Sequence, residues 1–285
     1  MSNEFKVKPA ANHPVILLAG AALLWSTGGL AIKAVEWNAL AIAATRSAIA
    51  AATVWFLIGR PRFTFSAVQI GGAVAYAATV TLFVAANKLT TAANAIFLQY
   101  TAPIYVAVLG AWFLREHPSR LDWSLIVVAV AGIGLFFVDE LSFRGLWGNV
   151  CALASGVAFA ALIVLLRSQK DASPIESVLL GNGLTALIGL PFVFGPIPSV
   201  KSCVGLLWLG IFQLGLAYVL YSQGIKHVKA LESVLISTIE PVLNPIWVML
   251  ILGEVPSPWS LIGGTLVLLA ATTRGVLTAQ RNAPK

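Results

Sequence analysis

Long apolar stretches, separated by short polar connections, make up most of the sequence. Crossing a bilayer as a helix takes about 20 apolar residues. About ten stretches meet this requirement, near Pro14–Val35, Ala39–Gly59, Val68–Ala86, Ala92–Leu114, Leu121–Val138, Leu146–Leu166, Ile175–Phe194, Cys203–Gly224, Leu231–Leu252 and Trp259–Val276. The connections leave no room for a soluble domain. The pattern therefore predicts an all-α integral membrane protein with ten transmembrane helices, whose function lies inside the helix bundle.

The composition supports a membrane protein. Of the 285 residues, 59% are hydrophobic and 10% are charged, whereas a soluble domain carries about 25% charged residues. The net charge of +7 forms no basic domain or stripe, so we expect the lipid bilayer as the surroundings and no nucleic acid as a partner. We attribute the excess to the lysine and arginine of cytoplasmic loops.

The positive charges predict the orientation of the spans. Placing the N-terminus in the cytoplasm leaves only four lysine and arginine residues on the outer connections, namely Lys33, Lys88, Arg144 and Lys201. Apart from Arg46 within a span, the remaining thirteen of the 18 fall on the inner side. Cytoplasmic loops carry an excess of lysine and arginine. We therefore expect both termini in the cytoplasm and an even number of spans.

An internal repeat relates the two halves of the chain. A shift of 138 residues places "YTAPIYVAVLGAWFLREHPS" on "TIEPVLNPIWVMLILGEVPS". Four pairs then fall in register: Pro103 with Pro241, Glu116 with Glu254, Pro118 with Pro256, and Lys88 with Lys226. Because each copy has an odd number of spans, five, the second must enter the membrane inverted. We predict two inverted five-helix repeats, at residues 1–140 and 141–285, with a substrate site between them near the bilayer midplane.

Three segments carry a resemblance to a known family. They read "ALLWSTGGLAIKA" in the first span, "NAIFLQYTAPIYVAVLGAWFLRE" in the fourth and "ESVLISTIEPVLNPIWVMLILGE" in the ninth. Over nearly its whole length the chain resembles the EamA branch of the drug/metabolite transporter superfamily, and within it the YddG-type exporters of aromatic amino acids. The resemblance implies ten helices around a central cavity, alternating access and a bacterial inner membrane. The direction of transport, export, also comes from the resemblance alone.

The ninth span carries an unusual polar stripe. Ser233, Ser237, Glu240, Asn244 and Trp247 follow one another at steps of three or four, so they share one face of a helix. An acidic residue at the centre of a membrane helix costs about 2.5–3.5 kcal/mol, which is tolerated where the side chain faces a water-filled cavity or other protein groups. Glu240 would therefore meet a substrate amine or a proton in a cavity, or else stabilise a kinked helix by a hydrogen bond to a neighbour.

Prolines accompany this stripe. A proline inside a helix costs about 3 kcal/mol because it removes a hydrogen bond and its ring clashes with the preceding turn. Pro241 and Pro245 in the ninth span, with Pro103 in the fourth, are therefore predicted to bend their helices. They would act either as gate elements or as fixed features of shape.

Further candidate residues for substrate binding lie on four other spans. They are Trp25 in the first, Thr79 and Phe83 in the third, Gln99 and Tyr100 in the fourth, and Gln213 and Tyr221 in the eighth. Together they would form an aromatic cavity that is weakly polar and poor in charge. Such a cavity suits a zwitterion with an apolar side chain better than a phosphate ester. Helix packing is the alternative role for each residue.

Arg46 is the basic residue that lies well inside a span. It is about seven residues from the outer end of the second span, roughly 10 Å deep at 1.5 Å per residue. Three roles are open. The side chain could extend to the membrane surface, form a structural ion pair, for instance with Glu36, or bind a substrate carboxylate.

The sequence thus favours a secondary transporter that exports small metabolites, foremost amino acids including aromatic ones. Efflux of drugs or cationic compounds by the same fold is the alternative, and a channel or a membrane enzyme is an alternative of another class. We expect no cofactor, no metal and no catalytic residues, because neither a nucleotide-binding loop nor a plausible catalytic group is present. A monomer is expected, with a dimer as the second possibility.

Overall fold

The described part of the molecule is entirely helical. The computed structural model describes residues 13–136, 138, 145–194, 198–243, 247 and 257–282, and no strand occurs among them. The α-helices are α1 His13–Trp25, α2 Gly28–Ala34, α3 Ala39–Ile58, α4 Ala67–Leu89, α5 Ala92–Gln99, α6 Ala102–Leu109, α7 Arg120–Phe136, α8 Leu146–Ser168, α9 Pro174–Gly189, α10 Val200–Trp208, α11 Ala217–Gly224, α12 Ala230–Ser237 and α13 Pro258–Asn282. Two π-helical segments, Gly110–Leu114 and Leu209–Leu216, extend α6 and connect α10 to α11. Short 3₁₀ turns cover Leu190–Phe192 and Ile225–His227.

Eight helical stretches within the described residues are long and apolar enough to cross a membrane. They are Pro14–Ala34, Ala39–Ile58, Ala67–Leu89, Asn94–Leu114, Leu146–Ser168, Pro174–Phe192, Val200–His227 and Leu261–Asn282. The predicted fifth span corresponds to α7, which has 17 residues. The predicted ninth span lies partly outside the described residues. The all-helical membrane fold is confirmed, while the total of ten spans stays a prediction.

Polar residues at the span boundaries start several of these helices. The Asn38 side chain accepts hydrogen bonds from the backbone N–H groups at the start of α3, and Ser66 and Thr91 do the same for α4 and α5. Such caps satisfy N–H groups that have no partner within the helix. The connections therefore both end one apolar stretch and begin the next.

The fourth and ninth spans are both interrupted, at equivalent positions. α5 ends at Gln99 and α6 begins at Ala102, while α12 ends at Ser237 and residues 239–243 are helical again. The turn residues Tyr100 and Thr238 are separated by the 138 positions of the sequence repeat. Pro103 and Pro241 follow the two interruptions, and each lacks the N–H that would bond to the carbonyl four residues earlier. Whether these prolines also act as gate elements stays a prediction.

Helices of the first half pack mainly against helices of the second. α4 lies against α8 and α9, α3 against α9, and α1 against α11. Glycines permit the closest approaches: a Cβ atom at Gly156 would lie 2.8 Å from the carbonyl oxygen of Gln99, and one at Gly181 would lie 2.7 Å from the side chain of Tyr76. Small residues allow membrane helices to approach in this way. Residues from both halves therefore line the space at the centre of the bundle.

Charged side chains gather at one end of the bundle. Glu116 binds Arg167 at 3.0 Å and accepts a hydrogen bond from the backbone N–H of Ala230 at 2.8 Å. Glu232 binds Arg274 at the same end. Arg167 and Arg274 belong to the set of positive residues predicted to face the cytoplasm, but which end faces the cytoplasm stays a prediction.

Two lysines from the set predicted to face outward lie at the other end. Lys88 donates to the carbonyl oxygen of Val35 at 2.6 Å, and Lys33 donates to that of Thr90 at 2.9 Å. Both carbonyls belong to helix C-terminal caps, where a cation is favoured by the helix dipole. Arg167 and Arg274 of the predicted inner set and Lys33 and Lys88 of the predicted outer set thus lie at opposite ends of the bundle.

Candidate functional site

A cavity lies at the centre of the bundle, between the two halves. Thr79 and Phe159, which line it, are near the middle of α4 and α8. Six of its lining residues were predicted from the sequence: Trp25, Thr79, Phe83, Gln99, Gln213 and Glu240. Five others complete the lining: Arg46, Val80, Phe159, Leu214 and Tyr218. The sequence pattern therefore located much of this cavity.

One wall of the cavity is aromatic. The Trp25 ring lies 5.0 Å from the rings of Tyr218 and Tyr221 and 5.9 Å from that of Phe159, between centroids. Tyr76 continues the cluster, 4.8 Å from Tyr218. These separations are typical of favourable aromatic pairs. Such a wall offers ring edges and faces to an apolar or aromatic group.

The carboxyl group of the cavity comes from the interrupted ninth span. Glu240 is 7% exposed and accepts a hydrogen bond from the hydroxyl of Tyr100. The same hydroxyl approaches the backbone carbonyl oxygen of Ser237 at 3.1 Å. Pro241 has no N–H to bond this carbonyl, which is four residues earlier. Interrupting the helix thus leaves a carbonyl group for Tyr100, and Tyr100 in turn orients the carboxyl group.

A polar chain crosses from α5 to α8 and α4. The Gln99 amide donates to the Ser155 hydroxyl at 2.7 Å, and this hydroxyl donates to the carbonyl oxygen of Thr79 at 2.9 Å. The Thr79 hydroxyl donates to the carbonyl oxygen of Ala75 at 2.7 Å. The chain joins the two halves and fixes the amide beside the cavity. A role for Gln99 or Thr79 in substrate binding stays a prediction.

Arg46 turns towards the interior of the protein. Its side chain is 1% exposed, so the interpretation that it extends to the membrane surface is wrong. Nη1 donates to the Gln213 side-chain oxygen at 3.2 Å and Nη2 to the carbonyl oxygen of Val80 at 3.0 Å. The salt bridges among the described residues do not include a pair with Glu36, so that expectation is also wrong. α3 is packed against α9, α4 and the second π-helical segment, and this packing directs the side chain inward.

Several predicted residues lie just behind the lining. The Tyr221 hydroxyl is 2.9 Å from that of Ser233, and the Ser237 hydroxyl donates to the backbone of Ser233 at 2.9 Å. Tyr100 reaches the cavity only through Glu240. These side chains support the residues that line the cavity, and their direct contact with substrate stays a prediction. The predictions for Asn244 and Pro245 fall outside the described residues.

Sequence reasoning missed Tyr218 and Phe159. Tyr218 lies three residues before Tyr221 and Phe159 four residues after Ser155. Each spacing places two residues on one helix face. For Tyr218 the spacing to the predicted Tyr221 was therefore a usable signal, whereas α8 carries no predicted binding residue that would point to Phe159.

The described residues offer no metal centre. No group of three or more histidine, cysteine, aspartate or glutamate side chains lies close enough to hold a metal ion within the described ranges. The cavity combines a carboxyl group, a guanidinium group, two amides and an aromatic wall. The cavity therefore offers charged, amide and aromatic groups on one surface.

Comparison with solved structures shows that the fold is shared. A protein known from a crystal structure matches with a TM-score of 0.78, covering 94% of this chain and 99% of that chain at 20% identity. At this identity the likeness concerns the fold alone. It supports the arrangement of helices around the cavity.

Sequence comparison identifies related transporters. An Archaeoglobus fulgidus protein described as an uncharacterized transporter is 31% identical over 79% of this chain and 78% of its own length. The Bacillus subtilis transporter YwfM is 26% identical over 66% of this chain and 65% of its own length. The pseudopaline exporter CntI of Pseudomonas aeruginosa is 25% identical over 62% of this chain and 64% of its own length.

A family model settles the classification. The EamA-like transporter family matches residues 13–138 and again residues 146–273, which covers most of the chain in two copies. These are membrane transporters, which agrees with the apolar helices and argues against an enzyme. The chain belongs to the EamA-like transporter family, within the drug/metabolite transporter superfamily.

Proposed function

We propose that this transporter exports small metabolites, foremost amino acids including the aromatic ones, by alternating access. The observation that carries the proposal is the central cavity, where Glu240 faces the same space as an aromatic wall built on Trp25. The carboxyl group suits an ammonium group, and the aromatic wall suits an apolar or aromatic side chain. An amino acid carries both groups a short distance apart.

The proposed mechanism uses ten helices in two inverted five-helix repeats, residues 1–140 and 141–285. The interruptions at Tyr100 and Thr238 support it, because they fall at equivalent positions beside the cavity. Interrupted helices near the substrate site are common in transporters built from inverted repeats. Rocking one repeat against the other would then open the cavity to each side of the membrane in turn.

The proposed setting is the bacterial inner membrane, with both termini in the cytoplasm and the protein acting as a monomer. The location of Lys88 and Arg167, one from each predicted charge set, at opposite ends of the bundle supports this orientation. One relative, from Pseudomonas aeruginosa, is named as an exporter, which supports outward transport.

A lipophilic cation is the second candidate substrate. It is favoured by Glu240, because a carboxyl group in an aromatic cavity also attracts a cation that has no carboxylate of its own. This function would make the protein an efflux transporter of drugs or cationic compounds. The same cavity and the same alternating access would serve it.

Counterflow in proteoliposomes tests the proposal. Vesicles are loaded with unlabelled phenylalanine, and a trace of labelled phenylalanine is supplied outside. We expect transient accumulation of label that other amino acids block, because a carrier exchanges substrate across the membrane. Vesicles with folded protein that show no accumulation would contradict an amino-acid carrier, and accumulation that neither saturates nor responds to trans-substrate would indicate a channel.

Proton coupling depends on Glu240 in this proposal. If the transporter exchanges protons for substrate, Glu240→Gln should abolish uptake driven by a pH gradient while leaving substrate exchange without a gradient measurable. The measurement is labelled phenylalanine uptake with and without an imposed gradient. Full gradient-driven uptake by the glutamine variant would exclude Glu240 as the proton-carrying group.

A further inference from the structure

Among the residues that the structure describes, Arg46 is a buried cation without an anionic partner. It is 1% exposed, and its two hydrogen bonds go to neutral acceptors, the Gln213 amide and the Val80 carbonyl. Its Nε has no hydrogen-bond partner in the structure. The salt bridges among the described residues leave it out. The positive charge is therefore held by hydrogen bonds but is not neutralised.

A buried charge with no opposite charge beside it is costly in free energy. An ion removed from water normally pairs with an opposite charge, and an unpaired buried charge is strongly destabilising. Arginine remains protonated inside proteins, so it cannot escape the cost by losing its proton. A site that keeps such a group is poised for an anion that arrives from outside the chain.

Arg46 forms part of the wall of the central cavity. Arg46 lines it together with Gln213 and Val80, the residues that hold the guanidinium in place. A guanidinium presents parallel N–H groups that match the two oxygens of a carboxylate. The two hydrogen bonds orient the group, and the buried Nε–H is left without a hydrogen-bond partner among the described residues. The Gln213 amide nitrogen is a second potential donor beside it.

Glu240 lines the same cavity without pairing with Arg46. No salt bridge between them occurs among the described residues. The cavity thus holds a fixed cation and a carboxyl group at separate places on its wall. A ligand with both a carboxylate and an ammonium group carries a charge opposite to each of them. A cation that lacks a carboxylate would leave Arg46 unpaired.

We infer that Arg46, held by Gln213 and Val80, binds the carboxylate of the substrate, so that this transporter selects carboxylate-bearing compounds over plain amines. This assignment rests on the proposed function, because it takes the central cavity as the substrate site. It deepens that function by naming the group that every substrate shares. It also separates amino acids from lipophilic cations.

Ligand-induced thermal stabilisation tests the assignment directly. Purified full-length protein in detergent is heated with phenylalanine, with 3-phenylpropanoate, which lacks the amine, or with phenethylamine, which lacks the carboxylate. Unfolding is followed by tryptophan fluorescence over a range of ligand concentrations. Phenylalanine and 3-phenylpropanoate should stabilise the wild-type protein at concentrations about tenfold or more below those at which phenethylamine does. A hydrogen bond to a charged group is strong enough to change affinity by about tenfold.

Three variants complete the test. Arg46→Gln should weaken binding of both carboxylates about tenfold or more and leave phenethylamine binding unchanged. Arg46→Lys keeps the charge but loses the paired N–H groups, so it should weaken carboxylate binding by a smaller factor and serves if the glutamine variant does not fold. Arg60→Gln removes an exposed arginine just after the same helix, and should leave all three ligands unaffected.

The outcomes separate this assignment from the proposed function. A purely structural role for Arg46 predicts that Arg46→Gln lowers the melting temperature without ligand and weakens all three ligands alike, and this result would overturn the assignment. Equal stabilisation of wild type by phenethylamine and 3-phenylpropanoate, or stabilisation by neither, would overturn it as well. Binding of carboxylates to wild type but not to Arg46→Gln, without counterflow of phenylalanine, would uphold the carboxylate site and contradict the proposed transport of amino acids.

Discussion

Replacing Glu232 with glutamine should destabilise the protein, because its carboxylate joins the start of α12 to the last helix. Glu232 is fully buried and binds Arg274 and Arg281, the latter at 2.5 Å. It also accepts the backbone N–H of Lys229 at 3.0 Å, which caps α12. Glutamine keeps the shape and one acceptor oxygen but removes the negative charge.

The expected loss of stability depends on how exposed the two arginine partners of Glu232 are to solvent. The Arg281 side chain is 45% exposed, so screening by solvent limits its pair to at most about 1 kcal/mol. The Arg274 side chain is 10% exposed, and breaking a buried pair costs about 3–5 kcal/mol. Arg274 keeps a second partner, Asp122, at 2.9 Å, which offsets part of that cost. We expect a loss of about 2–3 kcal/mol.

The assay is thermal unfolding of the purified protein in detergent. One kcal/mol corresponds to about 2–4 °C for a chain of roughly this length, so Glu232→Gln should lower the melting temperature by roughly 5–10 °C. Arg281→Gln is the matched control, because it removes only the exposed partner, and it should cost at most about 4 °C. A melting temperature of Glu232→Gln within about 1 °C of wild type, or an equal loss in the control, would refute the reasoning.

Two further predictions concern the packing of α9 and the interruption of the ninth span. Gly181→Ala should lower the melting temperature, because the added Cβ would lie 2.7 Å from the Tyr76 side chain. Gly183→Ala should raise the melting temperature, because its added Cβ would meet no atom within 4 Å and alanine has a higher helix propensity than glycine. A lower melting temperature for both would contradict this. Pro241→Ala supplies an N–H for the Ser237 carbonyl and should favour a continuous helix, so counterflow should slow without a loss of melting temperature. Unchanged counterflow would show that the interruption is not needed for transport.

The sequence predicts the fold well because the bilayer imposes a simple rule. Every backbone polar group in the apolar layer must be satisfied within a helix, so runs such as Ala39–Ile58 can be identified from length and hydropathy alone. The first span is also interrupted, at Ser26 and Thr27 between α1 and α2, and this interruption has a different origin. No proline lies nearby; instead the Ser26 and Thr27 hydroxyls bond to carbonyls of the preceding turn, while Trp247 and Trp208 donate to those same hydroxyls from the second half. Contacts so distant along the chain cannot be identified from a local pattern.

In the candidate site, too, some features can be identified from the local sequence, whereas others depend on how the helices pack. Glu240 stands out because a carboxyl group in an apolar stretch requires a cavity or a partner, and the structure gives it both. Arg46 stands out equally, yet its depth along a span does not determine whether it faces lipid or the interior. That choice depends on how α3 packs against its neighbours. The π-helical turn that presents Gln213 is likewise a feature of the backbone that periodicity does not predict.

Locating a bound substrate tests the central claim most directly. A structure determined with 4-bromophenylalanine would reveal the bromine by its anomalous scattering. We predict one bromine peak against the aromatic wall beside Trp25, with the carboxylate at Arg46 and the amine at Glu240. A bromine peak only outside the cavity, in crystals where the ligand is bound, would contradict the account.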